Sequence, residues 1–219
     1  MAEIVLGYFL EDIAHAWFLQ TLIERIATEQ NIPGVALRHE LRNVTGGAGT
    51  ALSEFRAFVR DVQRSQNYTF DVLVVAIDSN CHSYVKQRNQ IQHIIEQSDY
   101  PGSVVFALPD PHIERWYLED ARALRQVLQS DVLPQVPAYK CERDLYKQAL
   151  RQALKEAGVM ALLGGAEYGD DIANAIDLYK LGKADTAFKH FVDSLREALR
   201  PFESSPEIWG SSRSKNRLC

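Results

Sequence analysis

Cysteine is scarce: three residues in 219, at Cys81, Cys141 and Cys219. They are odd in number and far apart in the chain, which argues against a disulfide framework and against a cysteine-rich zinc site. No apolar run reaches membrane-spanning length, and no secretory leader is recognisable. Together these lead to the expectation of a cytoplasmic protein with reduced thiols and no membrane partner. Basic charge is not in excess. Lys and Arg number 24 against 29 Asp and Glu, a net charge of −5, so no global positive field advertises nucleic acid. Several catalytic signatures are missing as well. There is no Gly-x-Ser-x-Gly elbow and no identifiable Cys/His pair. The glycine-rich stretch Thr45-Gly46-Gly47-Ala48-Gly49-Thr50 lacks the P-loop lysine and follows the second strand-like segment, not the first. His15, His82, His93 and His112 lack tight metal-ligand spacing, although His82 and His112 could reach a site as acid–base or supporting groups.

What is present is an ordered alternation. The hydrophobic fraction of 46% suffices for a real core. Strand-like 4–9 is followed by a helical pattern over 12–30, with Ile13, Ala16, Trp17, Leu19, Leu22, Ile23 and Ile26 at helical spacing. Asn31-Ile32-Pro33-Gly34 ends that helix. Segment 35–44 reads as a second strand and 52–65 as a helix. Segment 71–77 is a third strand, continuously apolar and therefore expected inside the sheet. A helix over 84–97 and a fourth strand over 103–108 complete the unit. Four strands separated by three helices imply right-handed βαβ crossovers and an α/β, Rossmann-like, mostly parallel sheet with flanking helices.

The second half is helical in pattern, at 112–118, 121–129, 142–157, 170–181 and 185–199, with 130–140 as a connector. The last two helices read as a hairpin broken at Gly182. The expected division is an α/β domain over 1–118, a helical extension over 119–203 and a mobile tail over 204–219.

Acidic residues stand just past the strand ends. The first strand runs into Glu11, the third into Asp78-Ser79-Asn80, and the fourth into Asp110 and Glu114. The carboxyl ends of parallel strands share one rim, where ligands bind in open α/β sheets. Carboxylates gathered there call for a neutralising cation, most naturally Mg²⁺. Each acid also has a plainer reading. Glu11 or Asp12 would cap the first helix; Asp78, Ser79 and Asn80 suit a turn or cap; Glu114 suits a first helical turn, with Trp116 as a core anchor. Cations near these positions include Lys86 and Arg88 after the third strand, and Lys140 in Lys140-Cys141-Glu142-Arg143-Asp144, where a lysine could meet a phosphate. Arg56, Arg60 and Arg64 share a helix face that is equally well a solvated one.

A strand ending in Glu, a central strand ending in Asp-x-Asn, the segment Pro109–Trp116 containing Glu114, and Lys140…Tyr146 together resemble the Toprim domain over about residues 3–150. The likeness is nearest to small stand-alone Toprim proteins of the RloB and OLD-type abortive-infection group. It implies metal-dependent phosphodiester cleavage of DNA or RNA. Glu11, Asp78, Asn80 and Glu114 would hold Mg²⁺ or Mn²⁺; Lys140 would offset phosphate charge; His82, Lys86, Arg88 and Arg115 would contact substrate. It further implies a role in anti-phage defence, an ABC-type ATPase partner and a possible homo-oligomer. Two positions depart from the family pattern: Asn80 replaces the second acid of an Asp-x-Asp pair, and Asp12 replaces a glycine after the first glutamate. These departures leave open a catalytically weakened binding subunit, and the fold class leaves open an enzyme acting on a nucleotide or phosphate ester.

Overall fold

The computed structural model describes residues 3–32, 36–43, 49–64, 70–98, 100–131, 135–142 and 144–203. The expectations for Pro33-Gly34, for 44–48 of the glycine-rich loop, for Pro134, for Arg143 and for the tail 204–219 lie outside the described residues.

Four strands, β1 (Glu3–Leu10), β2 (Ala36–Asn43), β3 (Val72–Ala76) and β4 (Ser103–Ala107), form one sheet in the order β2-β1-β3-β4. All three pairings are parallel. The sheet is therefore parallel throughout, and β3 lies inside it, where all five of its residues are buried. That burial is what a continuously apolar strand requires.

Helices cover both faces. Ile4, Leu6, Tyr8 and Leu10 of β1 point into one core and Phe9 into the other, the period-two alternation of a strand. The second, smaller core is closed by α2 (Ala51–Arg64) and α3 (Tyr84–Gln97). Gly7 faces it, and a Cβ there would stand 2.5 Å from the Phe70 ring; the ring packs where any side chain at position 7 would go.

The larger core is shared by α1 (Ile13–Glu29), α4 (Ile113–Glu119), α5 (Ala121–Leu128), α6 (Leu145–Glu156), α7 (Gly169–Ala175), α8 (Leu178–Ala184) and α9 (Thr186–Leu199). It runs without interruption from Ile4 to Leu199, so the helical half is built onto the sheet. Helix α9 packs along β4. Its Phe188 and Phe191 meet Trp116 with ring centroids 5.1 and 6.1 Å apart. Leu124, Leu128, Ile172, Ile176, Phe188, Phe191, Val192 and Leu195 of the helical half are buried in this core, and Val127 is partly buried against it.

Two expectations are corrected. The single helix over 170–181 is two helices, α7 and α8. Ile176 is extended, and Asp177 accepts hydrogen bonds from Tyr179 N and Lys180 N to start a new helix. Arg25 on α1 donates to the Ala173 and Ile176 carbonyls and so satisfies the end of α7 from outside. Gly182 accordingly lies within α8, and the final break is made by Asp185, the N-cap of α9. Cysteine is the second correction: Cys81 and Cys141 are disulfide-bonded, with Cα atoms 5.3 Å apart. Sixty residues of separation hide a pair that the fold brings together. No helix among the described residues is long and apolar enough to cross a membrane.

Candidate functional site

The carboxyl ends of β1, β3 and β4 meet on one rim, and the chain keeps pairing beyond each strand. Glu11 N donates to Ala76 O, Ser79 N to Pro109 O and Asn80 N to Pro111 O. These bonds hold the three acidic segments side by side. The capping duties fall to other residues. Asp12 caps α1 by accepting from Ala14 N, and Ser83 caps α3 by accepting from Lys86 N. Glu11 and Asp78 are thereby left for the rim.

Asp78 is the centre of the cluster and is buried. Its Oδ1 accepts from His15 Nε2 at 3.0 Å and from Ile113 N at 3.1 Å; its Oδ2 accepts from His112 Nδ1 at 3.2 Å. The other ring nitrogen of His15 faces the Asp12 carbonyl at 3.3 Å. Both nitrogens of His15 therefore donate, which only an imidazolium can do. Burial alone pushes this imidazole down, but the Asp78 carboxylate outweighs it, with Glu11 and Glu114 adding to the effect, and His15 is held up at about 9. Burial pushes the Asp78 carboxyl up; His15 and His112 more than cancel this and hold it well below the ordinary carboxylate range. His112 is raised by its hydrogen bond to Asp78, against its own burial.

Glu11 stands beside this pair. Its Oε2 accepts from Asp78 N at 2.9 Å and its Oε1 from Asn80 Nδ2 at 3.3 Å. Burial and then the Asp78 charge raise its carboxyl. Asn80, with φ +46°, and Cys81, with φ +71°, make the turn that presents the Asn80 amide; left-handed backbone at non-glycine residues is a strained conformation often retained at working sites. Glu114 lies on the other side. Burial and Asp78 raise it too, while Lys147 opposes the shift. Glu114 Oε1 is 3.9 Å from Lys147 Nζ, and Oε2 is buried with no hydrogen-bond partner among the described residues.

The remaining expected residues are placed as follows. Lys140 is exposed on the connector, and Lys147, on α6, is the lysine that reaches the acids. Arg115 is engaged elsewhere: it donates to the Asp110 carbonyl at 2.8 Å, pairs with Asp185 at 2.9 Å and lies 5.2 Å from the Tyr139 ring centroid. Asp110 itself accepts from the Ser79 and Tyr139 hydroxyls. Lys86 and Arg88 are exposed on α3, and Arg56, Arg60 and Arg64 on α2. His82 is exposed and lines a cleft of about 310 Å³ with Asp78, Ser79, Asn80, Leu52, Gln87 and Gln90.

Comparison of the chain with protein-family models, curated proteins and solved structures finds no match. The chemistry of the rim stands on its own geometry.

The donor set was tested against a divalent cation. Glu11 and Glu114 offer carboxylate oxygens, and Asn80 offers an amide oxygen, all hard donors suited to Mg²⁺ or Mn²⁺. The unpartnered Glu114 oxygen is a free ligand position. Asp78 differs, because three N–H donors already occupy its two oxygens. Among the described residues no group of three or more His, Cys, Asp or Glu side chains is placed to hold a metal ion. This arrangement fits an ion held by one or two carboxylates and completed by substrate phosphate, the usual habit of Mg²⁺.

His112 reaches the rim as a supporting group, as its position suggested, whereas His15 and Lys147 are the site residues that sequence reasoning missed. The only local signal for His15 is its place in the first turn of α1, just past the end of β1. His112 follows the Asp110-Pro111 pair directly. Nothing local marks Lys147, since only the packing of α6 on α4 brings it in.

Proposed function

We propose that this chain is a metal-dependent phosphodiesterase of the Toprim type, acting on DNA or RNA. The observation that carries the reading is the convergence of Glu11, just past β1, and Glu114, in the first turn of α4, on the buried Asp78, just past β3, in one electrostatically coupled cluster. Glu11 and Glu114 are raised by burial first and by the Asp78 charge second, and a bound cation would oppose both effects. Glu11, Glu114 and the Asn80 oxygen would hold Mg²⁺ or Mn²⁺, which supplies an activated water and stabilises the leaving oxygen. His15 and His112 fix the orientation of Asp78, and Asp78 in turn fixes the Ile113 amide that begins the Glu114 helix. Lys147 is the cation placed to offset charge on a bound phosphate. The cleft bordered by His82, Asn80 and Gln87 gives a backbone an approach to the rim, and the exposed Lys86 and Arg88 lie on the same helix as Gln87. By its resemblance the protein would serve as effector in an anti-phage system with an ABC-type ATPase.

Metal binding tests this reading. Calorimetric titration with Mn²⁺ should show binding to the native chain and a loss of at least roughly tenfold in affinity for Glu11→Gln, since removing a charged ligand costs more than about 1.4 kcal/mol. Equal affinity in the two would remove Glu11 from the site.

A second reading has an observation of its own. Asn80 turns its amide nitrogen onto Glu11, and Asp78 is saturated by protein donors. That is the condition expected of a catalytically weakened subunit that binds and does not cleave.

A further inference from the structure

We propose that two copies of this chain associate through the free edge of β2, pairing antiparallel about a two-fold axis at His39 to make one eight-stranded sheet. The inference does not depend on the nuclease reading.

The sheet has two edges, treated differently by the fold. Along β4, helix α9 packs closely against the strand. Along β2, pairing occurs only with β1, and among the described residues no strand lies on its outer side. β2 is long for an edge, with eight residues, and its register with β1 is unbroken from Glu3↔Ala36 to Leu10↔Asn43. It contains no proline, glycine or bulge. Proline and bulges are two of the devices that keep an edge strand from pairing; the charged side chains Arg38, Glu40 and Arg42 are a third, and β2 carries them. Among the described residues its outer row of amide and carbonyl groups meets no strand.

The side chains of β2 are complementary to themselves. Arg38, Glu40 and Arg42 point to one face, and Leu37, His39 and Leu41 to the other. In an antiparallel pair centred on His39, Arg38 of one copy stands opposite Glu40 of the other, and Glu40 opposite Arg38. On the opposite face, Leu37 meets Leu41 and Leu41 meets Leu37. Opposite charges and apolar pairs directly across two strands are both favourable. Shifting the axis by one residue, onto Glu40, moves the register by two residues and sets Arg38 against Arg42 and Glu40 against itself, which is repulsive. The charges thus select a register as well as an interface.

Exposure agrees with this placement. Arg38 and Glu40 are 52% and 36% exposed and lie 3.2 Å apart. Leu41 is 45% exposed, an aliphatic side chain in the middle of a strand with solvent on it; a facing Leu37 would cover it. His39 needs no partner from a second copy, because its ring is held by the Tyr8 hydroxyl at 2.8 Å and by Glu24 at 3.2 Å on its own chain.

The test is mass in solution by light scattering across a range of concentrations, followed by a charge-swap pair. The native chain should run at twice its chain mass. Arg38→Glu and Glu40→Arg should each weaken self-association by roughly tenfold or more, because each sets like charges opposite one another twice per interface. An equimolar mixture of the two variants should recover the double mass as a heterodimer, seen by native mass spectrometry. Circular dichroism checks that each variant is folded, and Leu41→Lys, at a half-exposed position on the other face, gives an independent disruption. A native chain that stays monomeric at all concentrations overturns the proposal. So does a dimer that survives both charge variants and Leu41→Lys, or a mixture that stays monomeric while the native chain is dimeric.

Discussion

Replacing Asp78 with asparagine keeps the shape of the side chain and removes the charge on which the buried cluster turns. His15 is then an imidazolium at 1% exposure without its counter-ion. Two routes give the size of the effect. A 3.0 Å pair at an effective dielectric of 20 carries about 5 kcal/mol of attraction. The rise of His15 from its ordinary 6.5 to about 9 corresponds to about 3 kcal/mol of preference for the charged form in the fold. Breaking a buried ion pair by removing one member costs about 3–5 kcal/mol in general. The substitution also relieves Glu11 and Glu114 of a like charge, so the loss should fall near the lower end. Its pH dependence has a definite sign. A histidine raised in the folded state contributes stability that is complete below its unfolded value and is lost as the pH rises through about 9. Urea denaturation in the presence of chelator, at pH 6 and at pH 9.5, should therefore show a gap of about 3 kcal/mol between native chain and variant that narrows at the higher pH. A gap below about 1 kcal/mol at pH 6, or one that does not narrow at pH 9.5, refutes a charged His15–Asp78 pair.

Three further outcomes follow from single contacts. Asn80→Asp sets a carboxylate against Glu11; without metal it should cost about 1–2 kcal/mol in denaturation, and with Mn²⁺ it should tighten binding in calorimetry, whereas unchanged affinity would make Asn80 a turn residue only. Gly7→Ala drives a Cβ into the Phe70 ring and should lower stability by about 1–3 kcal/mol, measured by the urea midpoint; an unchanged midpoint would mean that the ring moves freely. Reducing the Cys81–Cys141 bond, which closes a loop of 60 residues, should lower stability by about 4 kcal/mol on chain entropy, and Cys81→Ser should abolish the response to reductant; a reductant effect that persists in Cys81→Ser would place it elsewhere.

The fold was legible where burial imposes a period. The unbroken apolar stretch of β3 and the helical spacing of Ile91, Ile94 and Ile95 announce a buried parallel strand and the helix after it. The junction between α7 and α8 was not legible, since Ile172, Ile176 and Leu181 keep an apolar rhythm across it. The stop is made by Arg25, some 150 residues earlier in the chain, and by the cap at Asp177. The site divides in the same way. Glu11, Asp78 and Glu114 stand at strand or helix boundaries, where an acid is conspicuous. His15, Lys147 and the Cys81–Cys141 pair acquire meaning only when α1, α6 and the connector come together. Arg115 looked like a substrate contact by charge alone; its engagement with Asp185 and the Asp110 carbonyl is a property of the packed α9.

The central claim is that the acids on the strand rim serve metal-dependent phosphodiester cleavage. The most direct measurement is a cleavage assay on plasmid, single-stranded DNA and tRNA, titrated with Mg²⁺ and Mn²⁺ and run in parallel with Glu11→Gln and Glu114→Gln. The account predicts cleavage of at least one substrate that rises with metal, stops with chelator and is lost in both variants. Cleavage that persists in chelator, or in either variant, would contradict it, as would intact substrates at every metal concentration.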